Sequence, residues 1–294
     1  MGNSILARNI LLLEALEEIA ASAAKKKLKF ILLKGAALLA EGACAPGERE
    51  MTDLDMLIRP TDEKSFDGLL TALGFKPMEN SSQAYYRMTA ISAPPVIADL
   101  HTALWHQKAT QALWHRSRPL PHAGALTAGV PGFEDQLLHL ASHGLLYHGY
   151  LSPKGLEDLA RLLRLVYGKT DRDAFWLKAA DISSDNGLNP VVHPVLRRFH
   201  AAEPGLLSAA ELSAFEPRGM EKLKSLFFEK AAAEYSRPLE YLLPGFYRPS
   251  LFFKYMFPGR TFLEKRYGKA SRLNMLARPI RLLAAIAGMT KKRE

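Results

Sequence analysis

The chain contains an apolar run that a glycine interrupts, Lys29-Phe30-Ile31-Leu32-Leu33-Lys34-Gly35-Ala36-Ala37-Leu38-Leu39. The part before Gly35 has the composition of a short buried strand, and the alanines and leucines after it are good helix formers. A strand, a glycine turn and a helix start bring unpaired backbone N–H groups to one point, which favours phosphate binding. The segment therefore predicts a strand–turn–helix unit with a phosphate-binding turn.

A second strand is predicted a little further along the chain, at Thr52-Asp53-Leu54-Asp55-Met56-Leu57-Ile58. Because successive side chains of a strand alternate between its faces, Asp53 and Asp55 should point the same way while Leu54 and Met56 pack on the other side. Two carboxylates on one face repel each other unless a cation lies between them, and Mg2+ prefers such oxygen ligands. The pair therefore predicts a divalent-metal site.

A third acid, Asp99, lies near the end of another strand-like run, Val96–His101, which begins after two prolines. Asp99 and His101 share a face of that strand. Three carboxylates on neighbouring strands could hold two divalent ions, as in two-metal displacement at phosphorus. We expect Asp99 to be a metal ligand and a candidate base, and His101 to pack against or support the site rather than to bind metal.

The order and spacing of these motifs resemble the polymerase-beta-like nucleotidyltransferase superfamily, whose signature is a strand, a Gly-Gly or Gly-Ser turn, a helix and then Asp-x-Asp. Within that superfamily the chain is similar to the uncharacterised nucleotidyltransferase family. The resemblance is carried by Leu32–Leu38, Arg49, Thr52–Ile58, Gly74-Phe75 and Asp99–His101. One departure is Lys34, which stands where many members have a second small residue. A lysine there could contact phosphate as a point charge, or signal a different acceptor or altered chemistry.

The resemblance implies an α/β (α+β) fold, in which a small mixed-sheet nucleotidyltransferase domain is followed by a mostly helical domain. It implies Mg2+-dependent transfer of a nucleoside monophosphate from an NTP such as ATP to an acceptor, with release of pyrophosphate; Mn2+ is the alternative metal. The implied catalytic and metal-binding residues are Asp53, Asp55 and Asp99. The implied nucleotide-binding residues are Lys34, Gly35, Ala36, Arg49 and Thr52.

Simpler interpretations remain open for several of these residues. An Asp-x-Asp pair at a strand end is often only a solvated edge, Lys34 could be a surface charge, and Arg49 could pair with Glu48 or Glu50 in an exposed loop. The whole chain could also be a non-catalytic binding module that keeps the fold and is recruited to a membrane or nucleic acid by its basic C-terminal segment. It could instead be an enzyme whose acceptor is a protein or peptide rather than a small molecule or saccharide. Retention of all three acids favours an enzyme.

Length and composition favour two domains, because 294 residues with 48% hydrophobic content can bury one large core or two modest ones. We predict a catalytic domain at 1–125, a helical domain lining the cleft at 126–244, and a basic, aromatic-rich segment at 245–294. Prolines and glycines from Pro119 to Gly132 indicate a linker.

Periodicity and capping signals predict further elements along the chain. These are helices at Ser4–Ala24, from Thr61 or Asp62 to Leu73, at Glu134–Tyr147, Pro153–Tyr167 and Glu221–Tyr235, and a strand at Tyr85–Thr89. His139 and His143 lie four residues apart, but no glutamate follows His139 as a metallopeptidase motif requires. We expect these histidines, with His148 and Asp158, to pack or to line the cleft. The three tryptophans, Trp105, Trp114 and Trp176, are expected in the core.

The single cysteine, Cys44, excludes an intramolecular disulfide and a cysteine-rich metal cluster, which fits a reducing cytoplasm. No signal-peptide pattern opens the chain, and no apolar run approaches the ~20 residues needed to span a bilayer. We therefore expect a cytoplasmic protein, with peripheral membrane association as an alternative.

The net charge of +9 arises in residues 245–294, where 12 lysines and arginines stand against only Glu264 and Glu294. Aromatic residues are interleaved with these cations. A basic, aromatic-rich surface suits an anionic membrane or RNA as a peripheral partner. The alternative is a C-terminal hairpin whose aromatic residues pack on the core.

Overall fold

The computed structural model describes residues 2–79, 81, 83–89, 94–104, 106–108, 110–120, 128–233, 243–245, 247–250, 253 and 257. The chain divides into two compact units, Met1–Gln136 and Leu137–Glu294. A mixed sheet in the first unit and helices in the second confirm the predicted fold class. The domain bounds at 1–125, 126–244 and 245–294 stay predictions.

The first unit is built on a seven-stranded sheet of short strands. They are β1 (Phe30–Leu32), β2 (Leu54–Ile58), β3 (Lys76–Pro77), β4 (Ala84–Arg87), β5 (Val96–His101), β6 (Arg118–Pro119) and β7 (Ala128–Val130). Their order in the sheet is β3-β4-β5-β2-β1-β7-β6. The pairs β2–β5 and β1–β7 are parallel, and the other pairs are antiparallel. Strand β5 has the bounds that the sequence predicts, and β4 covers most of the strand predicted at Tyr85–Thr89.

The prediction of a linker from Pro119 to Gly132 is wrong where β6 and β7 form. Pro119 and Gly129 are paired with each other across these two strands. Strand β7 is held by its parallel neighbour β1, and β6 lies at the edge of the sheet, where a proline is tolerated. Proline and glycine signal loops locally, but here pairing with a strand that lies far away in sequence decides the structure.

Helices pack on the sheet of the first unit. They are α1 (Gly2–Lys25), α2 (Lys34–Ala40), α3 (Glu63–Ala72, after a 3-10 turn at Pro60–Asp62) and α4 (Thr110–Arg116). The predicted apolar stripe of α1 is confirmed, because Leu12, Leu16 and Ile19 are buried in one cluster with sheet residues. Asp62 is at the N-cap of α3 as predicted, although its side chain makes no capping hydrogen bond.

The two faces of the central strands bury different partners. Leu54, Met56 and Ile58 belong to the large cluster that includes α1 and α3. Leu57 packs on the opposite face, in a smaller cluster with Leu113 of α4. Asp55 stands between Leu54 and Met56 on the strand, so its side chain points to the opposite face, which is the face of Leu57. The acidic site consequently lies on the face of the sheet away from α1.

The second unit is helical in its described part. Helix α5 (Phe133–His143) starts in the first unit and continues into a π-helical turn at Gly144–His148; it is followed by α6 (Pro153–Tyr167), α7 (Arg172–Asn186), α8 (Asn189–Ala202), α9 (Ala209–Ser213) and α10 (Met220–Ala233). Helix α6 has its predicted bounds, and α10 matches the helix predicted at Glu221–Tyr235 up to the last described residue of that stretch. In the part of the chain that the structure describes, no helix combines the length and the apolar composition needed to cross a membrane.

A buried ion pair fixes the end of α4 to the first turn of α5. Asp135 has no exposed surface and accepts two hydrogen bonds from Arg116, of 2.7 and 2.8 Å, and a third of 3.1 Å from Gln107. Removing a hydrogen-bonded buried carboxylate leaves its donors without their acceptor. Asp135 is therefore expected to contribute substantially to stability.

We expect Asp135→Ala to lower the free energy of unfolding by about 2 kcal/mol, measured by chemical denaturation. This expected loss of stability is smaller than that for fully buried ion pairs, because about a quarter of the Arg116 side chain is exposed and can be hydrated. The control is Glu157→Ala, which removes an exposed i,i+4 partner of Arg161 on α6 and should cost under about 0.5 kcal/mol. Equal effects of the two variants would show that burial of the Asp135 pair does not matter.

Candidate functional site

Parallel pairing of β2 and β5 sets two carboxylates side by side. Asp55 is in register with Asp99, and Leu57 is in register with His101. Because side chains alternate, Asp55, Asp99 and His101 lie on one face of the sheet. Ligand atoms of these three side chains all lie within 4.8 Å of one another. The structure thus assembles an Asp–Asp–His cluster from two strands that are about 40 residues apart in sequence.

Asp55 is the most buried member of the cluster, with 3% of its surface exposed. Its Oδ1 atom lies 2.7 Å from Lys34 Nζ and 2.9 Å from His101 Nε2. Burial alone would raise the pKa of the Asp55 carboxyl. The hydrogen bond to His101 and the charge of Lys34 together outweigh burial and hold that pKa well below its usual range. Asp55 is therefore a carboxylate at any physiological pH.

Asp99 is in a different environment, since 30% of its side chain is exposed. Burial raises the pKa of its carboxyl, more than the His101 imidazole lowers it, and the Asp55 carboxylate adds to the increase. His101 Nε2 lies 3.6 Å from Asp99 Oδ2 and so stands between the two carboxylates. His101, which the sequence assigned a supporting place, is thus a potential ligand as well.

Asp53 lies outside the group of converging ligand atoms. It precedes the first residue of β2, is partly exposed, and accepts a 3.1 Å hydrogen bond from the hydroxyl of Thr52, which is exposed. Its charge still acts on Asp99, whose pKa it helps to raise. The assignment of Asp53 as a metal ligand and of Thr52 as a nucleotide contact stays a prediction.

Lys34 directly follows Leu33 at the end of β1 and is the first residue of α2. Its φ angle is +49°, in the left-handed region that costs a non-glycine residue free energy. Helix α2 starts at Lys34, one residue before Gly35, whereas the sequence suggested a turn at the glycine. In this conformation the lysine reaches Asp55, so the surface-charge interpretation of Lys34 does not describe it.

Gly35 makes room for the guanidinium group of Arg49. A Cβ atom at position 35 would lie 1.8 Å from Arg49 Nη1 and 2.4 Å from Arg49 Cζ. Arg49 is buried, and its Nη1 donates a 3.3 Å hydrogen bond to the carbonyl oxygen of Glu50. The glycine is thus needed for the close approach of a side chain. Lys34 thus contacts the acidic cluster, and the Arg49 guanidinium lies against the next residue of α2, Gly35.

Asn9 and Arg8 of α1, which the sequence patterns did not single out, form hydrogen bonds with the loop that precedes β2. Asn9 is fully buried; its amide donates to the carbonyl oxygens of Pro46 and Arg49, at 2.5 and 2.6 Å, and its Oδ1 accepts from Met51 N. Arg8 donates to the carbonyl oxygen of Thr52. A signal for Asn9 was present, because it is a polar residue three positions before Leu12 on the apolar stripe.

The donor set of the cluster fits a divalent cation. Two carboxylates offer the oxygen ligands that Mg2+ and Mn2+ prefer, and the imidazole of His101 is a donor that Mn2+ or Zn2+ accepts more readily than Mg2+. Two neighbouring carboxylates on one strand pair also need positive charge between them. Asp55, Asp99 and His101 are the residues that would hold the ion.

The other histidines and the tryptophans singled out in the sequence lie in the second unit, on α4 of the first unit, or outside the described residues. His139 is buried, and the His143 ring stacks on Tyr147 and lies near the rings of His139 and His148. Trp176 is buried and Trp114 packs against an apolar cluster, as expected of core residues. Trp105 lies outside the described residues, as does most of 245–294.

Within 245–294, the structure describes a few aromatic residues. Tyr247 is buried and donates a 3.0 Å hydrogen bond to the carbonyl oxygen of Asn186. Phe253 and Phe257 are exposed. Tyr247 is therefore packed, as the alternative prediction for the aromatic residues of this segment expects. Contact of the segment with a membrane or RNA stays a prediction.

Acids on adjacent strands of a mixed sheet, beside a glycine-containing helix start and two cations, define the class of nucleotidyltransferase domains. The family model described as "Uncharacterised nucleotidyltransferase" matches residues 3–197, and the chain belongs to this family. The general activity that this family membership supports is transfer of a nucleotidyl group. No curated protein and no solved structure matches the chain.

Proposed function

We propose that the protein transfers a nucleoside monophosphate from an NTP to an acceptor hydroxyl, or to another acceptor group, and releases pyrophosphate, with Mg2+ as the cation. The observation that carries the proposal is the side-by-side placement of Asp55 and Asp99, next to His101 and in contact with Lys34, whose neighbour Gly35 lies against Arg49. Negative groups for a cation and positive groups for a triphosphate are thus available within one site.

Each residue has a part in this proposal. Asp55, Asp99 and His101 hold the cation, with Asp53 as a further carboxylate at the start of β2. Lys34 and Arg49 bind the triphosphate, Arg49 through the planar donor fork that suits phosphate and Lys34 as a point charge. Thr52 is exposed just before β2 and Gly35 lies against Arg49, so these two residues shape the surface for the nucleotide, whereas Ala36 is buried in the apolar cluster with α1 and supports the helix start from behind. Bound there, Mg2+ would neutralise triphosphate charge and orient the reacting oxygen.

The reaction balances as an in-line displacement. The acceptor oxygen forms a bond to the α-phosphorus, the bond from the α-phosphorus to the pyrophosphate oxygen breaks, and the hydroxyl proton passes to a base. Asp99, the more exposed of the two aligned carboxylates, is the candidate for that base. Asp55 stays charged and fixed by Lys34 and His101, so its part is electrostatic.

The test is calorimetric titration of the protein with each of the four NTPs, with and without Mg2+, repeated on the Asp53→Asn, Asp55→Asn double variant. We expect Mg2+-dependent binding of at least one NTP, weakened at least tenfold in the double variant. Pyrophosphate release in the presence of hydroxyl-bearing small molecules, saccharides and peptides then identifies the acceptor class. If no NTP binds with Mg2+ present, the proposal is wrong.

The ion pair of Lys34 with Asp55 leads to a separate prediction. Lys34 Nζ contacts Asp55 Oδ1, so the lysine would compete with a cation for the charge of this carboxylate, whereas a triphosphate would attract the lysine away. We expect Lys34→Ala to tighten Mn2+ binding without nucleotide by about tenfold and to weaken NTP binding by a similar factor, each equal to about 1.4 kcal/mol.

The Lys34→Ala prediction is measured by calorimetry, with Mn2+ alone and with NTP plus Mg2+. The matched control is Lys64→Ala, which removes an exposed lysine from α3 and should change neither affinity by more than about twofold. Weaker Mn2+ binding in Lys34→Ala would show that the lysine supports the cation site rather than competing with the cation.

A further inference from the structure

A second concave site lies at the opposite end of the β1–β2 pair from the acidic cluster. The two strands are antiparallel, with Phe30 in register with Ile58. Lys29 precedes β1 and Arg59 follows β2, so both are at the end away from Lys34 and Asp55. Arg59 is four positions after Asp55, which at about 3.3 Å per residue amounts to about 13 Å along the strand. Neither residue has a part in the function proposed above.

A pocket of about 210 Å3 opens at this end of the sheet. It is lined by Lys29, Arg59, Trp114, Ser117, Arg118 and Gly129, among others. The charged residues in its described lining are three cations, and none of the lining residues is acidic. A cavity of this size is below the range for drug-sized ligands, so it suits a small group rather than a whole nucleoside triphosphate.

The three cations differ in how far their charge is balanced. Arg118 pairs with Glu41, and its guanidinium lies 3.7 Å from the centre of the Phe133 ring. Lys29 and Arg59, in contrast, make no ion pair with any residue that the structure describes, and Lys29 is exposed. Arg118 therefore has an ion-pair partner, whereas the charges of Lys29 and Arg59 can interact with solvent or with a ligand.

Arg59 is held in place by an aromatic ring. Its Cζ atom lies 4.7 Å from the centre of the Trp114 ring, and Trp114 packs in turn against the apolar cluster that includes Leu57. Such stacking is favourable and limits the rotamers of the arginine. A guanidinium in a fixed orientation loses less entropy when its N–H groups bind a planar or tetrahedral oxyanion.

We propose that this pocket is a phosphate-binding site, separate from the acidic cluster, in which Arg59 and Lys29 bind the phosphate oxygens. Phosphate fits better than a carboxylate because three cations line the pocket, two of them without an ion pair to a described residue, and none of the lining residues is acidic. Lys25 ends α1, and Lys26 and Lys27 follow it shortly before Lys29. All three lysines are exposed and add positive potential at the same end of the sheet. The phosphate can come from a small phosphorylated molecule or from a nucleic-acid backbone.

The experiment uses the full chain in EDTA, so that divalent cations do not link phosphate to the acidic cluster. Binding of inorganic phosphate is followed by 31P NMR line broadening, and binding of a 12-nucleotide single-stranded RNA by fluorescence anisotropy. The variants are Arg59→Gln and Lys29→Gln, with Lys64→Gln as the matched control for loss of one positive charge. Circular dichroism confirms that each variant is folded.

We expect Arg59→Gln to weaken phosphate binding at least tenfold, while Lys64→Gln leaves it within about twofold. RNA that binds at least tenfold more tightly than phosphate, and depends on Arg59, identifies a nucleic-acid backbone as the source. RNA that binds no better than phosphate identifies a small phosphorylated ligand. The proposal is overturned if neither probe binds, or if Arg59→Gln and Lys64→Gln have equal effects.

Discussion

Asp55→Asn is expected to lower the rate of pyrophosphate release from NTP by about 10³-fold or more, which corresponds to about 4 kcal/mol of transition-state stabilisation. The physical reason is the loss of the most buried negative charge of the cluster. A neutral amide binds a divalent cation far less strongly than a carboxylate does. The rate is measured with a coupled pyrophosphate assay once an acceptor is known, and cation binding by calorimetry before then.

The fold should survive this substitution. Asparagine has nearly the shape of aspartate, and Lys34, which loses its ion pair, keeps a fifth of its side-chain exposure and can take up water. We therefore expect a melting temperature within a few degrees of the parent protein. If Asp55→Asn is unstable, Asp99→Asn at the more exposed carboxylate replaces it as the test variant.

The matched control is Asp62→Asn, the same neutralisation in the 3-10 turn that follows β2. This residue is at the end of the strand away from the cluster, so the rate should change by no more than about twofold. Full activity of Asp55→Asn would show that the cation assignment is wrong. An equal loss in Asp62→Asn would instead indicate a general effect of charge.

Gly35→Ala is expected to weaken NTP binding by about 10- to 100-fold, or about 1.4 to 2.8 kcal/mol, with little change in stability. The new methyl group would overlap the Arg49 guanidinium, which must leave its position against the helix start. A displaced arginine cannot make the charge-assisted hydrogen bonds to phosphate that the proposal assigns to it. Alanine otherwise suits a helix better than glycine by up to about 1 kcal/mol, which offsets the strain in the unliganded protein.

A double-mutant cycle separates this mechanism from a general disturbance of α2. Arg49→Ala alone should weaken NTP binding about as much as Gly35→Ala, and the combined variant should be no worse than either. The measurement is calorimetry with the NTP that binds best, in the presence of Mg2+. Additive losses in the double variant would show that the methyl group acts on the nucleotide or the backbone rather than through Arg49.

Much of the first unit could be predicted because its signals are local. The apolar stripe of α1 and the alternation along β2 and β5 come from helix and strand periods. Strand β5 and helix α6 have their predicted bounds, since prolines mark where both begin. Strands β6 and β7 could not be predicted, because two- and three-residue strands carry too little pattern of their own and exist only through their pairing with neighbours.

The candidate site was predictable as a set of acids and cations, but its inner arrangement was not. The sequence favoured Asp53 with Asp55, whereas the side chains that converge in the structure are Asp55, Asp99 and His101. The support from Asn9 and the contact of Arg49 with Gly35 join segments far apart along the chain. Such contacts depend on packing, which no single segment encodes.

The sequence by itself determined which side chains share a face, because alternation along a strand is fixed by the geometry of each residue and its neighbours. The glycine beside the first strand and the acids on the later strands are also visible in the sequence, and these motifs indicate the family. The tertiary structure alone decided that β2 and β5 pair in parallel with Asp55 opposite Asp99, and that Lys34 reaches Asp55. Register between distant strands follows from burying both faces of the sheet at once, which is a property of the whole unit.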